Sequence, residues 1–480
     1  MHRLLIALAL GLSAMAQSTT GILVGTVTDS SGAVVAGAKV RATNIGTAAV
    51  VETTSSATGE YVLANLPAAR YKVRVESTGF RSVDINEVRL LLNQTVRTDV
   101  RLEPGAVEQS VTISSAAPLI QTDSASIVNN VDTHAVVTLP LNGRTLDRLI
   151  LITAGNASDS PSNPKLAGSL HWGGSFYSID GVAINDTGNG GAAYSFRTQL
   201  STTPSIDTIQ EFKIETNSAK AEHEGSAAIS IITKGGTNQF HGYLFAFNRN
   251  RELAANSYFN NANRQQRPPF NRNEFGLSGG GPIVRNKTFF FGSYEGLRQR
   301  QATTAFFPYA TSAMKAGNFT GVREIRDPLS GLPFPNNQIP TARLDPRAVR
   351  LGSFMPLPNT PGTTSPGTGL NYVSNVGNVI DVNRSSIRGD HHFNSTNTIN
   401  AVATYAKGSP YFVSNGGPNE YGNFADGGYI TKSASLTYNR TISPSTQNEF
   451  RYSYFSHGSI RIGQNTNFDP LSLFPSLYGP

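Results

Sequence analysis

The sequence reads as mainly β, with part of an antiparallel transmembrane β-barrel at its C-terminal end, and three observations carry that expectation. From Ile430 to Tyr454 apolar and polar residues alternate with period two: Ile430, Ala434, Leu436 and Tyr438 fall on one face, Thr431, Ser433, Ser435, Thr437 and Asn439 on the other. After a turn around Ser443 to Ser445 the pattern resumes, with Phe450, Tyr452 and Tyr454 opposing Glu449, Arg451 and Ser453. Strands wet on one side, with aromatics outward and polar residues inward, suit a membrane barrel wall. Secondly, charged residues make up only 15% of the 480 residues while Gly, Asn, Ser and Thr abound, which disfavours a helical enzyme. Thirdly, Gly, Pro and Asx turn signals punctuate the chain roughly every ten residues at its N-terminal end, the rhythm of a small sandwich.

Composition also excludes. The net charge of +7 is spread, because runs such as Arg249 to Arg251 and Arg298 to Arg300 are short and isolated; this gives no footprint for nucleic acid. There is no cysteine, so disulfides and thiolate chemistry are both unavailable. His2 and Arg3 precede an apolar run from Leu4 to Leu12, and Ala14-Met15-Ala16 offers small residues for cleavage, so residues 1–16 read as a signal peptide. No later stretch approaches the roughly 18 uncharged apolar residues of a spanning helix. If the chain enters a membrane, strands take it there.

The elements follow in order. Residues 17–103 carry strand-like runs at Ile22 to Thr28, Ala38 to Thr43, Tyr61 to Ala64, Tyr71 to Glu76 and Val96 to Leu102, separated by Ser31-Gly32, Thr58-Gly59, Asn65 to Pro67 and Thr78-Gly79, and closed by Pro104-Gly105. Residues 104–117 form an extended linker. Residues 118–238 read as a small α+β domain, with a helix starting near Thr145 that sets Leu146, Leu149 and Ile150 on one face, and strands at Ile209 to Thr216 and Ala227 to Thr233. Residues 239–480 hold seven strand candidates: Phe240 to Asn248, Asn273 to Gly281, Lys287 to Arg298, Ser386 to Phe393, Thr398 to Lys407, Tyr429 to Arg440 and Gln447 to Ser456. Tight connections (Pro282 to Asn286, Asn394 to Asn397, Thr441 to Thr446) alternate with long ones (Arg249 to Arg272, Gln299 to Ser385, Gly408 to Gly428), the layout of an outer-membrane barrel with short periplasmic turns. Single-chain bacterial barrels use even strand numbers from about eight upward, so the seven here point to a truncated or fragmentary copy of a longer protein.

Gly25-Thr26-Val27-Thr28-Asp29, Gly37-Ala38-Lys39-Val40, Gly59-Glu60-Tyr61, Leu66-Pro67, Tyr71-Lys72-Val73 and Gly79-Phe80 together resemble the carboxypeptidase-regulatory-like domain, a transthyretin-like β-sandwich. Downstream, Leu139-Pro140-Leu141-Asn142-Gly143-Arg144, Ile179-Asp180-Gly181-Val182, Ile209 to Lys213, Thr233-Lys234-Gly235-Gly236-Thr237-Asn238 and Phe240-His241-Gly242 resemble the plug domain of Oar-like TonB-dependent outer-membrane receptors. Gly280-Gly281-Pro282-Ile283 and Phe289-Phe290-Phe291-Gly292 continue that likeness into the barrel. Ala68-Ala69 stand where the family more often has Pro-Gly, and His223-Glu224 where Tyr-Gly is usual. The resemblance implies an outer-membrane receptor or transporter for an unidentified solute, reached by a cleaved signal peptide. Its partners would be outer-membrane lipid, an unknown extracellular ligand and a TonB-type energy-transducing protein in the periplasm. It further implies that Glu108, Gln109, Ser110, Val111, Thr112 and Ile113 form the TonB-box-like segment, whose extended backbone can donate to the partner's sheet edge. An ordinary interdomain strand is the plainer reading of those residues. The alternative for the whole is a surface carbohydrate- or protein-binding, adhesion-type protein without transport, and a third is a nonfunctional remnant.

Other motifs yield to bland readings. Gly276-Leu277-Ser278-Gly279-Gly280 fits G-x-S-x-G, but a nucleophile elbow needs a helix directly after the serine and Pro282 with a new strand follows. His391 and His392 beside Asp390 point to opposite faces of a strand and do not share a metal. Arg388-Gly389-Asp390 sits beside a periplasmic turn rather than on an outer loop. Asp180, Asn185, Asp186 and Asn189 lack the order of a calcium loop. No catalytic, metal or cofactor site emerges, and an enzyme is the weakest hypothesis.

Overall fold

The computed structural model describes residues 20–105, 110–113, 127–132, 144, 150, 156, 166, 175–186, 191–192, 204–216, 227–262, 264–362, 369–411, 424–443 and 446–463. The leader, Glu108 and Gln109, Asn189, His223-Glu224 and, apart from Ile150, the helix expected near Thr145 lie outside them.

The N-terminal unit is a two-sheet sandwich. β1 (Thr20–Thr28), β4 (Glu60–Pro67), β7 (Thr95–Arg97) and β8 (Val100–Arg101) make one sheet, and β2 (Lys39–Asn44), β3 (Val50–Thr54), β5 (Ala69–Glu76), β6 (Ser82–Leu90) and β9 (Ser110–Ile113) the other, in the order β3-β2-β5-β6-β9. Alternate residues of both, among them Leu23, Val40, Leu63, Val73, Val75, Ile85, Leu90 and Leu102, close a continuous core. Tyr61 and Tyr71 lie within it and keep their hydroxyls satisfied on the Thr98 and Pro67 carbonyls at 2.6 and 2.8 Å; burial pushes both phenols up. Sequence reading missed β3 and β6 and joined β7 to β8. β6 escapes because Ser82 and Asp84 are polar yet buried, which breaks the expected alternation.

The second unit centres on a mixed sheet in the order β10-β15-β16-β11-β12: β10 (Ile127–Asp132), β11 (Ser175–Ile179), β12 (Val182–Ala183), β15 (Ile209–Thr216) and β16 (Ala227–Thr233). A two-residue ladder, β13 (Asn185–Asp186) with β14 (Gly191–Ala192), flanks it. β15 and β16 are the two strands expected from sequence. Ile179 pairs Val182 across Asp180 and Gly181, both with positive φ (49° and 77°), which is the tight Asp-Gly hairpin that only such residues form without strain.

All seven strand candidates downstream form one antiparallel sheet in chain order, β17 to β23: His241–Asn250, Phe270–Val284, Thr288–Phe307, Tyr372–His392, Asn397–Tyr411, Phe424–Ser443 and Thr446–Gly463. β22 and β23 are inside-out relative to a soluble sheet. Thr437 is 2% exposed and pairs Arg451, whereas the neighbouring Leu436 is 41% exposed and pairs Tyr452 at 66%. The polar faces look onto the second unit, the plug of the sequence expectation, and the apolar faces onto the surroundings. β17 departs from the aromatic-out expectation. Its Tyr243, Phe245 and Phe247 stack in a column, 5.8 and 5.6 Å between successive rings, on the plug side, because a plug guanidinium needs that face.

β19 and β20 run 20 and 21 residues, so the loop expected over Gln299 to Ser385 is only 308–371. At these strand ends apolar and polar residues share faces: Ile380 and Val382 are buried beside Leu297 and Tyr429, the neighbouring Arg300–Asp381 pair is exposed, and the period-two signal fades. Three short helices punctuate the long connections: α1 (Tyr258–Ala262) between β17 and β18, then α2 (Ser312–Lys315) and α3 (Pro346–Phe354) between β19 and β20. Asn337 gathers loop 308–371, donating to the Phe319 carbonyl at 2.6 Å and accepting from the Ile325 N–H at 2.7 Å. Arg343 grips Asp327 through two bonds of 2.6 and 2.8 Å and holds that carboxyl well below the usual range.

Candidate functional site

Where plug meets wall, sequence motifs of the plug supply charges and the wall supplies their partners. Arg144, the last residue of the Leu-Asn-Gly-Arg motif, reaches Asp207 at 2.8 Å and Glu274 of β18 at 3.7 Å. Its guanidinium also lies 4.4 Å from the Phe247 ring and 5.3 Å from Phe245, so the aromatic column of β17 cradles a plug cation. Lys234 donates to the Asp207 backbone carbonyl at 2.8 Å. Burial raises the Asp207 carboxyl, against Arg144, and lowers the Lys234 ammonium, against Asp207.

A second cluster joins the Asp180 turn to β20. The Asp180 carboxylate accepts from the Thr233 N–H at 3.0 Å and hydroxyl at 2.8 Å and faces Arg388 at 3.7 Å. Arg388 in turn holds Asp390 at 2.9 Å and donates to the Thr233 carbonyl at 3.0 Å. Burial lifts the Asp180 carboxyl above its ordinary range, partly countered by Arg388. Just beyond, the chain passes so close to the wall that a Cβ on Gly236 would sit 2.4 Å from the Phe290 carbonyl oxygen and 2.8 Å from that of Gly281. The Lys-Gly-Gly-Thr motif is thus a steric requirement of plug-to-wall crossing. Phe455, on the plug side of β23, packs against the plug core.

The sandwich sits on the tight-turn side. The Leu92 N–H donates to both carboxylate oxygens of Glu211 in β15, at 2.9 and 3.1 Å, the Gln210 side chain donates to the Ala68 carbonyl at 2.5 Å, and the Asn238 N–H to the Gly46 carbonyl at 2.9 Å. A cleft of about 1280 Å³ opens between them, lined by Ile45, Arg70 and Glu87 of the sandwich and by Lys287, Phe393 and Asn394 at the wall's turns.

The TonB-box-like candidates are placed in part. Ser110, Val111, Thr112 and Ile113 form β9, paired in parallel with Ser82 to Ile85 of β6, and so lie at the edge of the sandwich's second sheet. Ser278 lies inside the 15-residue β18, with no helix after it, and Gly276 and Gly280 there leave room for Phe245 and Phe291. His391 bonds the Thr288 hydroxyl at 2.8 Å while the His392 ring meets Phe289 at 6.0 Å. Asn185 braces β11, accepting from the Tyr177 N–H at 2.8 Å and donating to the Ser175 carbonyl at 3.1 Å. Among the described residues no cluster of three or more His, Asp or Glu side chains is placed to hold a metal. From sequence Arg144 was quoted only as a motif letter, and Asp180 as a motif letter and a rejected calcium-loop ligand. The signal available for their role was a charge beside Gly, in Gly143-Arg144 and Asp180-Gly181.

The outer membrane beta barrel domain model matches residues 232–479, more than half of the chain. The chain belongs to that family. The carboxypeptidase regulatory-like domain model matches residues 22–103, the sandwich. The TonB-dependent transporter Oar of Myxococcus xanthus is 28% identical over 313 residues, 59% of this chain and 27% of that protein. Among solved structures, the ferric enterobactin receptor of Pseudomonas aeruginosa in complex with enterobactin superposes with TM-score 0.41 at 10% identity, over 69% of this chain and 41% of its own. The siderophore receptor PirA of the same organism gives 0.38 at 11% identity, over 70% and 41%. The chain therefore spans well under half the length of these relatives. The curated relative is named a transporter.

Proposed function

We propose that this chain forms the sandwich, plug and part of the barrel of a TonB-dependent outer-membrane transporter, exported by the leader at residues 1–16. The observation that carries the reading is the pair of largely buried ion clusters, Arg144 with Asp207 and Glu274, and Arg388 with Asp180 and Asp390, which fasten the plug sheet to the inner face of an inside-out wall. A lumen filled by a separately folded sheet has a use where passage is gated, and breaking two discrete clusters is a two-state event. A solute captured by outer loops such as 308–371 would free the 107–114 region, a TonB-type periplasmic protein would pull it, and the plug would shift. The likeness to a transporter in Myxococcus xanthus supports the same class. The solute is left unnamed by every residue discussed.

Deleting residues 108–113 from the full-length protein is expected to abolish energised uptake and leave surface binding of the solute intact. Unchanged uptake would overturn the proposal and favour an adhesion-type surface protein.

A further inference from the structure

β9 is an edge strand held on one side only. Its register on β6 is Ser82 to Ser110, Val83 to Val111, Asp84 to Thr112 and Ile85 to Ile113. β6 changes character where that pairing ends. Ser82, Val83, Asp84 and Ile85 are all buried, on both faces, whereas from Asn86 to Leu90 exposed and buried residues mix, with Asn86, Glu87 and Arg89 open. Two of the four covered residues are polar, and Arg74 supplies their partners, donating to Asp84 at 3.2 Å and to the Ser82 hydroxyl at 3.3 Å. The binding strip for β9 is therefore built. Short parallel pairings are the weaker kind of ladder, so it is also reversible.

β6 leads to Leu92, whose N–H is gripped by Glu211, and Glu211 stands in β15, the strand that β10 joins just after the linker. A continuous line thus runs from the linker strand through the sandwich to the plug. We infer that the sandwich is a clamp on the coupling segment: β6 holds residues 110–113 by strand pairing, in competition with the periplasmic partner for the same backbone groups, and movement of β15 loosens the hold through Glu211. This rests on the reading of residues 108–113 as the coupling segment. A clamp of this kind lowers the partner's apparent affinity by the fraction of time the strand is free.

The test uses the full-length protein in detergent micelles, hydrogen exchange at the amides of residues 110–113, and binding of the TonB-type partner's isolated periplasmic domain. Adjacent residues of a strand present their N–H groups to opposite neighbours, so Ser82→Pro and Val83→Pro are made separately, and one of them removes a donor facing β9. The parent is expected to protect the alternate amides of residues 110–113 that face β6. The proline variant that loses protection is expected to bind the partner domain about tenfold more tightly. Should either proline unfold the sandwich, Glu211→Gln leaves it intact and is expected to speed exchange at residues 110–113 about threefold. Unprotected amides in the parent, or lost protection with unchanged partner binding, would overturn the clamp. Either result leaves transport itself untouched, since that reading fails only if deletion of residues 108–113 spares uptake.

Discussion

Arg388 is the residue on which the plug–wall contact most depends, because it faces two carboxylates and a backbone carbonyl at once. Arg388→Ala strands Asp180 and Asp390 in a buried site, and breaking a buried pair from one side costs about 3–5 kcal/mol. The thermal midpoint of the detergent-solubilised full-length protein is expected to drop, and to recover in part when Asp180→Asn is added. Asp180 and Asp207 also set a pH dependence. Burial raises both carboxyls in the folded state, so the folded protein binds protons more readily than the unfolded chain. Stability therefore falls as pH rises from the ordinary carboxylate range, about 4, to the raised values. Asp180→Asn is expected to flatten that slope in thermal melts, and an unchanged slope would count against its buried position. The Asp180-Gly181 turn is a local feature of the sequence. The charge role is not, since its partner lies on a strand far along the chain.

At the level of elements, legibility followed the polarity of faces. β22 and β23 were readable because one face is polar throughout, buried though it is, and β15 and β16 because they are bounded by Gly and Asp. The outer ends of β19 and β20 mix polar and apolar residues without a sustained alternation, despite the buried Ile380 and Val382, and read as loop. β6 hid behind Ser82 and Asp84, whose burial depends on Arg74 and β9. The same face logic gives opposite expectations for neighbouring substitutions. Leu436→Arg or Tyr452→Arg puts a cation on the lipid side, about 2–4 kcal/mol near the bilayer midplane, and should lower the yield of folded, heat-modifiable protein in outer-membrane fractions. Lys432→Gln, which removes a cation from the same outward row, should not. Gly236→Val must move the wall or the plug, given the 2.4 Å approach to the Phe290 carbonyl, and should raise protease sensitivity of the plug while leaving the sandwich resistant.

For the whole molecule, orientation follows from connections. The tight turns at 285–287 and 393–396 lie beside the sandwich, and loop 308–371 joins the far ends of β19 and β20, so the sandwich and β9 stand on the tight-turn side of the wall and the long loop on the other. That layout was legible in the alternation of short and long connections. The packing of the sandwich on the plug through Glu211, Gln210 and Asn238 was not, since no periodicity records a contact between separately folded units. The central claim is that β17 to β23 form a wall with lipid outside and plug inside. Because the chain has no cysteine, single substitutions Leu436→Cys, Tyr452→Cys, Ser435→Cys and Thr437→Cys can each carry a fluorophore in the full-length protein, reconstituted in vesicles whose lipid tails bear a quencher. Quenching at 436 and 452 with none at 435 and 437 is the expected result; equal quenching at all four positions, or none at any, would contradict the account.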